Sequence, residues 1–128
     1  MLQAKIEEGR AEFALNAVKA IKGDGNIGDK NKKEYKSYCR KFAGLVLTNG
    51  LAAAVAFLIA KGGSYNFLYK DIEKWLISQE FYTKPTTLEE YVCSLDSDSY
   101  REATGEVIAL YRWLSRFATG LIEGESEG

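Results

Sequence analysis

Residues 99–121 read SYREATGEVIALYRWLSRFATGL. Tyr100, Ala103, Thr104, Val107, Leu110, Tyr111, Leu114, Phe117, Ala118 and Leu121 recur here every three or four residues, the spacing that lines side chains along one face of an α-helix. Ser99 and Glu102 have the form of a capping box at its start. Arg101, Arg112 and Arg116 fall on the opposite face, with Gly105 and Thr119 among them. A helix this long with one apolar stripe needs neighbours to cover it, so the rest of the chain is searched for partners of the same kind.

Upstream, Leu2, Ile6, Gly9, Phe13, Ala17 and Ile21 give a first amphipathic helix that ends at the connection Gly23–Gly28. That connection, GDGNIG, lacks the lysine and preceding strand of a phosphate-binding loop. From Lys30 the set Tyr35, Tyr38, Cys39, Phe42, Leu45, Val46, Ala53, Ala56, Phe57 and Ala60 predicts one long central helix, with Asn49-Gly50 a place where it kinks or breaks. Asn49 is expected on its buried face. Gly62-Gly63 ends it, Ser64 is placed to cap a third helix carrying Leu68, Ile72, Trp75 and Leu76, and Thr87 with Glu90 forms a capping box for a short helix through Leu95. The expected fold is all-α: a single-domain bundle of about five helices over residues 1–122, then an acidic flexible tail over 123–128. Phe42, Phe57, Leu110, Leu114 and Phe117 are expected in its core, and Trp75 and Trp113 in packing or an interface.

Composition narrows the chemistry. With no histidine in the sequence, imidazole acid-base catalysis and Ser/His or Cys/His nucleophiles are excluded. Cys39 and Cys93 lack zinc-site spacing and read as two unpaired, mostly buried thiols of a cytoplasmic protein. The acidic pairs Glu89/Glu90, Asp96/Asp98 and Glu123/Glu125 fit helix starts and a solubilising tail better than a metal or catalytic site. No cofactor is expected. The longest apolar run, Gly50 to Ala60, is eleven residues, against the roughly 20 needed to span a bilayer, and the charged N-terminus does not read as a secretion signal.

The formal net charge is only −1, but it is unevenly spread. Residues 1–61 hold eleven Lys/Arg and six Asp/Glu, net +5; residues 62–128 hold six and twelve, net −6. Lys30, Lys32, Lys33, Lys36, Arg40 and Lys41 face only Glu34 in that stretch. On a helix Lys33, Lys36 and Arg40 share one sector, with Lys41 at its flank, opposite Tyr35 and Phe42. This ridge and the Arg101/Arg112/Arg116 face are candidates for a nucleic-acid backbone. A merely solvated helix face remains the simpler reading of the same spacing, and Tyr35, Tyr38 and Phe42 read as core rather than as base-stacking rings.

Three blocks carry a resemblance: Asn49-Gly50-Leu51 with Ala56-Phe57-Leu58 and Lys61-Gly62; Trp75-Leu76; and Tyr100-Arg101 with Ala103-Thr104, Glu106, Trp113-Leu114, Arg116 and Phe117-Ala118. In order and spacing they resemble the small helical subunit of the Cmr complex, the RNA-guided type III-B CRISPR effector, over residues 34–120. The resemblance implies a non-catalytic subunit in antiviral defence that stacks beside other Cmr subunits, with copies of itself among the possible neighbours, and meets guide and target RNA through a basic face. Lys61, Arg101 and Arg116 lie in the resembling blocks; Lys33, Lys36, Arg40, Lys41 and Arg112 rest on charge spacing. A helical adaptor that binds only protein is the alternative.

Overall fold

The computed structural model describes residues 2–125 and, of residues 1–8, the side chain of Glu7 alone. The expected stripe residues Leu2 and Ile6 therefore have side chains outside the described set, as does the tail beyond Glu125. Among the described residues there are six helices and no strand: α1 Leu2–Gly23, α2 Asp29–Asn49, α3 Leu51–Lys61, α4 Tyr65–Ser78, α5 Leu88–Cys93 and α6 Ser97–Leu121.

α6 is the axis of the bundle, flanked by α1 and α2. Its Ala103, Val107, Leu110, Tyr111, Leu114 and Ala118 are buried. Against α2 it runs antiparallel: Lys36 meets Ile122 at one end, Phe42 packs on Tyr111 midway at 4.8 Å, and Ala52, just past α2, meets Tyr100 at the other end. α1 runs with α6, from the Arg10–Glu106 pair to a cleft shared by Lys22 and Ile122. Glu106 ties three helices together. Arg10 donates to both its oxygens, at 3.1 and 2.6 Å, and Trp75 Nε1 of α4 donates to Oε1 at 2.8 Å. Trp113 Nε1 adds a second α1–α6 link by donating to Glu7 at 2.6 Å.

The expected central helix is two helices. Gly50 has φ 89° and ψ 158°, a region that only glycine occupies readily. Its N–H closes α2 on Val46 O at 2.8 Å, and its carbonyl starts α3 by accepting from Ala54 N at 3.0 Å. Tyr100 Oη then accepts from Ala52 N at 2.8 Å, satisfying one of the amides that every helix start leaves without a partner. The break resets the helical phase. Leu51, Ala54, Val55 and Leu58 are buried, whereas Ala53, Ala56 and Ala60, expected inward, are exposed and Phe57 is half-buried. Phe42, Leu110 and Leu114 are in the core as expected; Phe117 is half-buried. Asn49, as the last residue of α2, is exposed.

Two caps differ from expectation. Ser64 adopts helical angles and makes no cap; its Oγ donates to Glu34 at 2.9 Å, joining α4 to α2. α6 is capped by Asp96, whose carboxylate accepts from Ser99 N at 2.8 Å, so the capping residue lies three positions before Ser99. The Thr87–Glu90 box forms as expected. Both cysteines are free, but only Cys39 is buried; Cys93 is exposed.

One carboxylate sits inside the core. Asp71 of α4 accepts from Tyr35 Oη at 2.6 Å, near Cys39 and Tyr111, with Lys74 at its flank. Burial pushes its pKa up to about 6, outweighing the Tyr35 hydrogen bond and the Lys74 charge, which act the other way.

Leu114→Ala should cost about 2–5 kcal/mol in urea unfolding. Gly50→Ala should cost about 1–3 kcal/mol, because alanine must hold the glycine-only angles with its Cβ 3.3 Å from Tyr100 Oη. The folded state binds the Asp71 proton more tightly than the unfolded chain does. Its contribution to stability is therefore full below pH ~4 and is lost as pH rises through about 6. Urea unfolding should show a component that weakens from pH 5 to pH 7.5, and Asp71→Asn should remove it.

Candidate nucleic-acid interface

The eight cations expected to face RNA fall into separate surroundings. Lys36 is the clear correction: it is 6% exposed. Its Nζ donates to Ile122 O at 2.9 Å and Gly124 O at 2.8 Å, and lies 3.6 Å from the Glu125 carboxylate. The helical wheel placed it beside Lys33 and Arg40, but the C-terminal end of α6 crosses that flank of α2. α6 has no basic residue in its own last turn. Lys36 supplies from α2 the cation that a helix C-terminus and its open carbonyls attract.

Lys33 and Arg40 flank the same junction. Lys33 lies against Gly124, and Arg40 Nη1 is 3.1 Å from Glu125 Oε2. Arg40 is half-exposed and Glu125 largely so, at 47% and 70%, and such pairs contribute only about 0–1 kcal/mol. Residues 123–125, read from sequence as the start of a flexible tail, thus lie over the basic ridge. The tail carboxylate and a phosphate would compete for Arg40.

On α6, Arg112 and Arg116 are exposed and one helical turn apart. Neither has a salt-bridge partner among the described residues. Arg116 lies over the Trp113 ring, 5.5 Å from its centroid, an arrangement that orders the guanidinium while leaving its edge for an acceptor. Arg101 is exposed too, but it lies about 22 Å farther along the helix from Arg116 at 1.5 Å per residue and is 4.0 Å from Asp98. It belongs to a different part of the surface.

Lys41 and Lys61 belong to a third place. Lys41 lines an open groove of about 380 Å³ whose walls include Tyr38, Phe42, Phe57 and Tyr65, and Lys61 Nζ lies 5.7 Å from the Phe57 ring centroid. Sequence reading missed this groove because Tyr38 and Phe57 fell on the core stripe. The aromatic spacing around the basic run was its only signal. Among the described residues, no three His, Cys, Asp or Glu side chains gather to hold a metal ion, and no helix is long and apolar enough to cross a membrane.

Lys36→Met keeps the aliphatic stem but leaves the Ile122 and Gly124 carbonyls without their donor. It should cost about 1–3 kcal/mol and speed amide exchange around residues 122–125, read by thermal unfolding and hydrogen-exchange mass spectrometry. Arg40→Gln should stay within about 1 kcal/mol of the parent.

The profile of the family described as CRISPR-associated protein (Cas_Cmr5) matches residues 6–121. Among solved structures, the chain is similar to the X-ray crystal structure of a CRISPR-associated Cmr5 family protein from Thermus thermophilus. The two are 30% identical, with a TM-score of 0.76 and coverage of 92% of this chain and 98% of that one. The match spans both the α2–α3 break and the α6 axis. The chain belongs to the Cmr5 family of CRISPR-associated proteins and is a subunit of the type III-B Cmr complex.

Proposed function

We propose that this chain is a non-catalytic structural subunit that lies along guide and target RNA through its basic helix faces, inside a cytoplasmic effector. The observation that carries the reading is the Arg112/Arg116 pair: two exposed guanidinium groups one turn apart on the outward face of the central helix, neither within salt-bridge distance of a carboxylate among the described residues, with Glu7 the nearby acid that the Arg112 charge stabilises. An arginine so placed gains by meeting phosphate and loses no internal bond in doing so. Arg40 and Lys33 extend the charge on α2, where Glu125 is the weakly held partner of Arg40 and Asp29 and Glu123 share a cleft with Lys33. The sequence has no histidine, which fits a role in which RNA cleavage belongs to other subunits.

Exposed apolar side chains support the second half of the role. Leu47 and Ile59 are 71% and 50% exposed, and Ala53, Ala56 and Ala60 lie exposed on α3 beside Ile59. Small side chains let another backbone come close, and an apolar face of this kind suits a neighbouring subunit, either another Cmr component or a second copy. A chain that used this face alone would be the protein-only adaptor.

Reconstitution of the effector with an Arg112→Glu/Arg116→Glu subunit separates the two. Both residues are exposed, so assembly should be normal. Target affinity should fall about equally for all sequences, and the log-log salt slope should shrink by about 0.7 for each single-strand phosphate that is no longer neutralised. Unchanged affinity and slope would leave the adaptor reading standing.

A further inference from the structure

The groove between α2, α3 and the start of α4 has no part in the basic-ridge reading, and its chemistry is of a different kind. Its floor is aromatic and already assembled. Tyr38 and Tyr65 stack with centroids 3.7 Å apart and planes 5° from parallel, and Phe57 meets Tyr65 edge-on at 5.2 Å. The volume, about 380 Å³, lies within the ~300–1,000 Å³ range of small-ligand clefts. Thr48 and Asn49 bring a hydroxyl and a carboxamide to the wall, and Lys41 lies on one side. Lys61 does not line the groove itself, but its Nζ lies 5.7 Å from the centroid of Phe57, which does. Neither lysine has a salt-bridge partner among the described residues, and no carboxylate lines the groove. Glu34, the acid on the Tyr38 side, is held by Ser64 Oγ at 2.9 Å.

We propose that this groove seats one unpaired base of an RNA strand, stacked on the Tyr38/Phe57/Tyr65 floor with its flanking phosphates on Lys41 and Lys61. The proposal rests on the RNA-contacting reading and adds to it a site that recognises a base rather than a backbone. Aromatic surface for a π-face, cations for phosphates and a carboxamide for a base edge are the combination by which proteins hold single-stranded nucleic acid. A base within a duplex has both faces covered and cannot enter. An apolar side chain from a protein would use the floor but leave both lysines and Asn49 idle. Lys41 follows Arg40 on α2 but lies about 100° round the helix from it, so a strand on the ridge would have to turn round α2 to reach the groove.

Gly44 offers a clean test, because a Cβ built there meets nothing within 4 Å and the residue lines the groove. Gly44→Leu should fill the mouth and leave the fold intact. The reconstituted effector, carrying the full chain, is loaded with target RNA containing 5-iodouridine at successive positions and irradiated at long wavelength. Peptide mapping should find a cross-link on Tyr38, Phe57 or Tyr65, and Gly44→Leu should abolish it. The variant should also weaken binding of a target bearing that base by roughly 5- to 150-fold, the range for one stacked base. A target abasic at that position should bind parent and variant equally. Cross-links confined to the α2 ridge or α6 would overturn the groove while leaving RNA contact in place; no cross-link to this chain would remove both. A peptide of another subunit joined to Lys41 or Lys61 by an amine–carboxylate cross-linker, with no RNA adduct in the groove, would assign it to a protein and overturn the proposal.

Discussion

The arrangement of the whole N-terminal half depends on one backbone conformation, that of Gly50. Its φ of 89° with ψ of 158° is closed to side-chain-bearing residues except at a cost. Without it, α2 and α3 would be one helix, and an eleven-residue apolar segment would continue in α2's phase. The break instead turns Leu51, Ala54, Val55 and Leu58 inward. The same turn sets Phe57 against Tyr65 to close the groove and leaves Ala53, Ala56 and Ile59 at the surface. The break needs help from outside, because a helix start leaves amides unsatisfied. Tyr100 supplies it from the first turns of α6, so the axis of the bundle also fixes its sharpest bend.

Charge inside this protein is used for attachment as much as for display. Glu106 is held by Arg10 and Trp75 across three helices, and Lys36 is spent on carbonyls at the end of α6. Removing one partner of such a buried set leaves the other unsatisfied, which costs more than the bond itself contributes. Arg40 and Arg101 sit with partners in solvent, where pairing contributes little. The distinction separates cations that the fold depends on from cations it leaves available.

Much of the fold was legible because period and capping carry it. The α6 stripe was read almost residue for residue, since Ala103, Val107, Leu110, Tyr111, Leu114 and Ala118 meet neighbours on one side only. The Thr87–Glu90 box was legible for the same local reason. What failed was non-local. The phase of α3 was carried across Gly50 as though the helix continued. Lys36 was placed outward because a helical wheel does not contain the end of another helix. Ser64 was assigned a cap, but Glu34, thirty residues away, claimed its hydroxyl. Of the site, the exposed arginines of α6 were legible, while the groove was not: it exists only where three helices meet.

Free cations on a subunit of net charge −1 are effective toward RNA only if the acidic half stays away from the strand. Along α6 the fold meets that requirement in part, since Glu7 of α1, held by Trp113, is an acid beside Arg112. Asp96, Asp98 and Glu102 lie at the start of α6 with Arg101, whereas Arg112 and Arg116 lie about three to five and a half turns farther on. That distance of roughly 15 Å or more along the axis exceeds the ~8 Å screening length at physiological salt, so this acidic end would contribute little field at a phosphate brought to the arginines. At the opposite end, Glu125 is the acid in direct contact with the ridge, and it is largely exposed. A strand laid on α2 would therefore have to displace Glu125 from Arg40 and pass Asp29 and Glu123 beside Lys33, rather than oppose the charge of the whole chain.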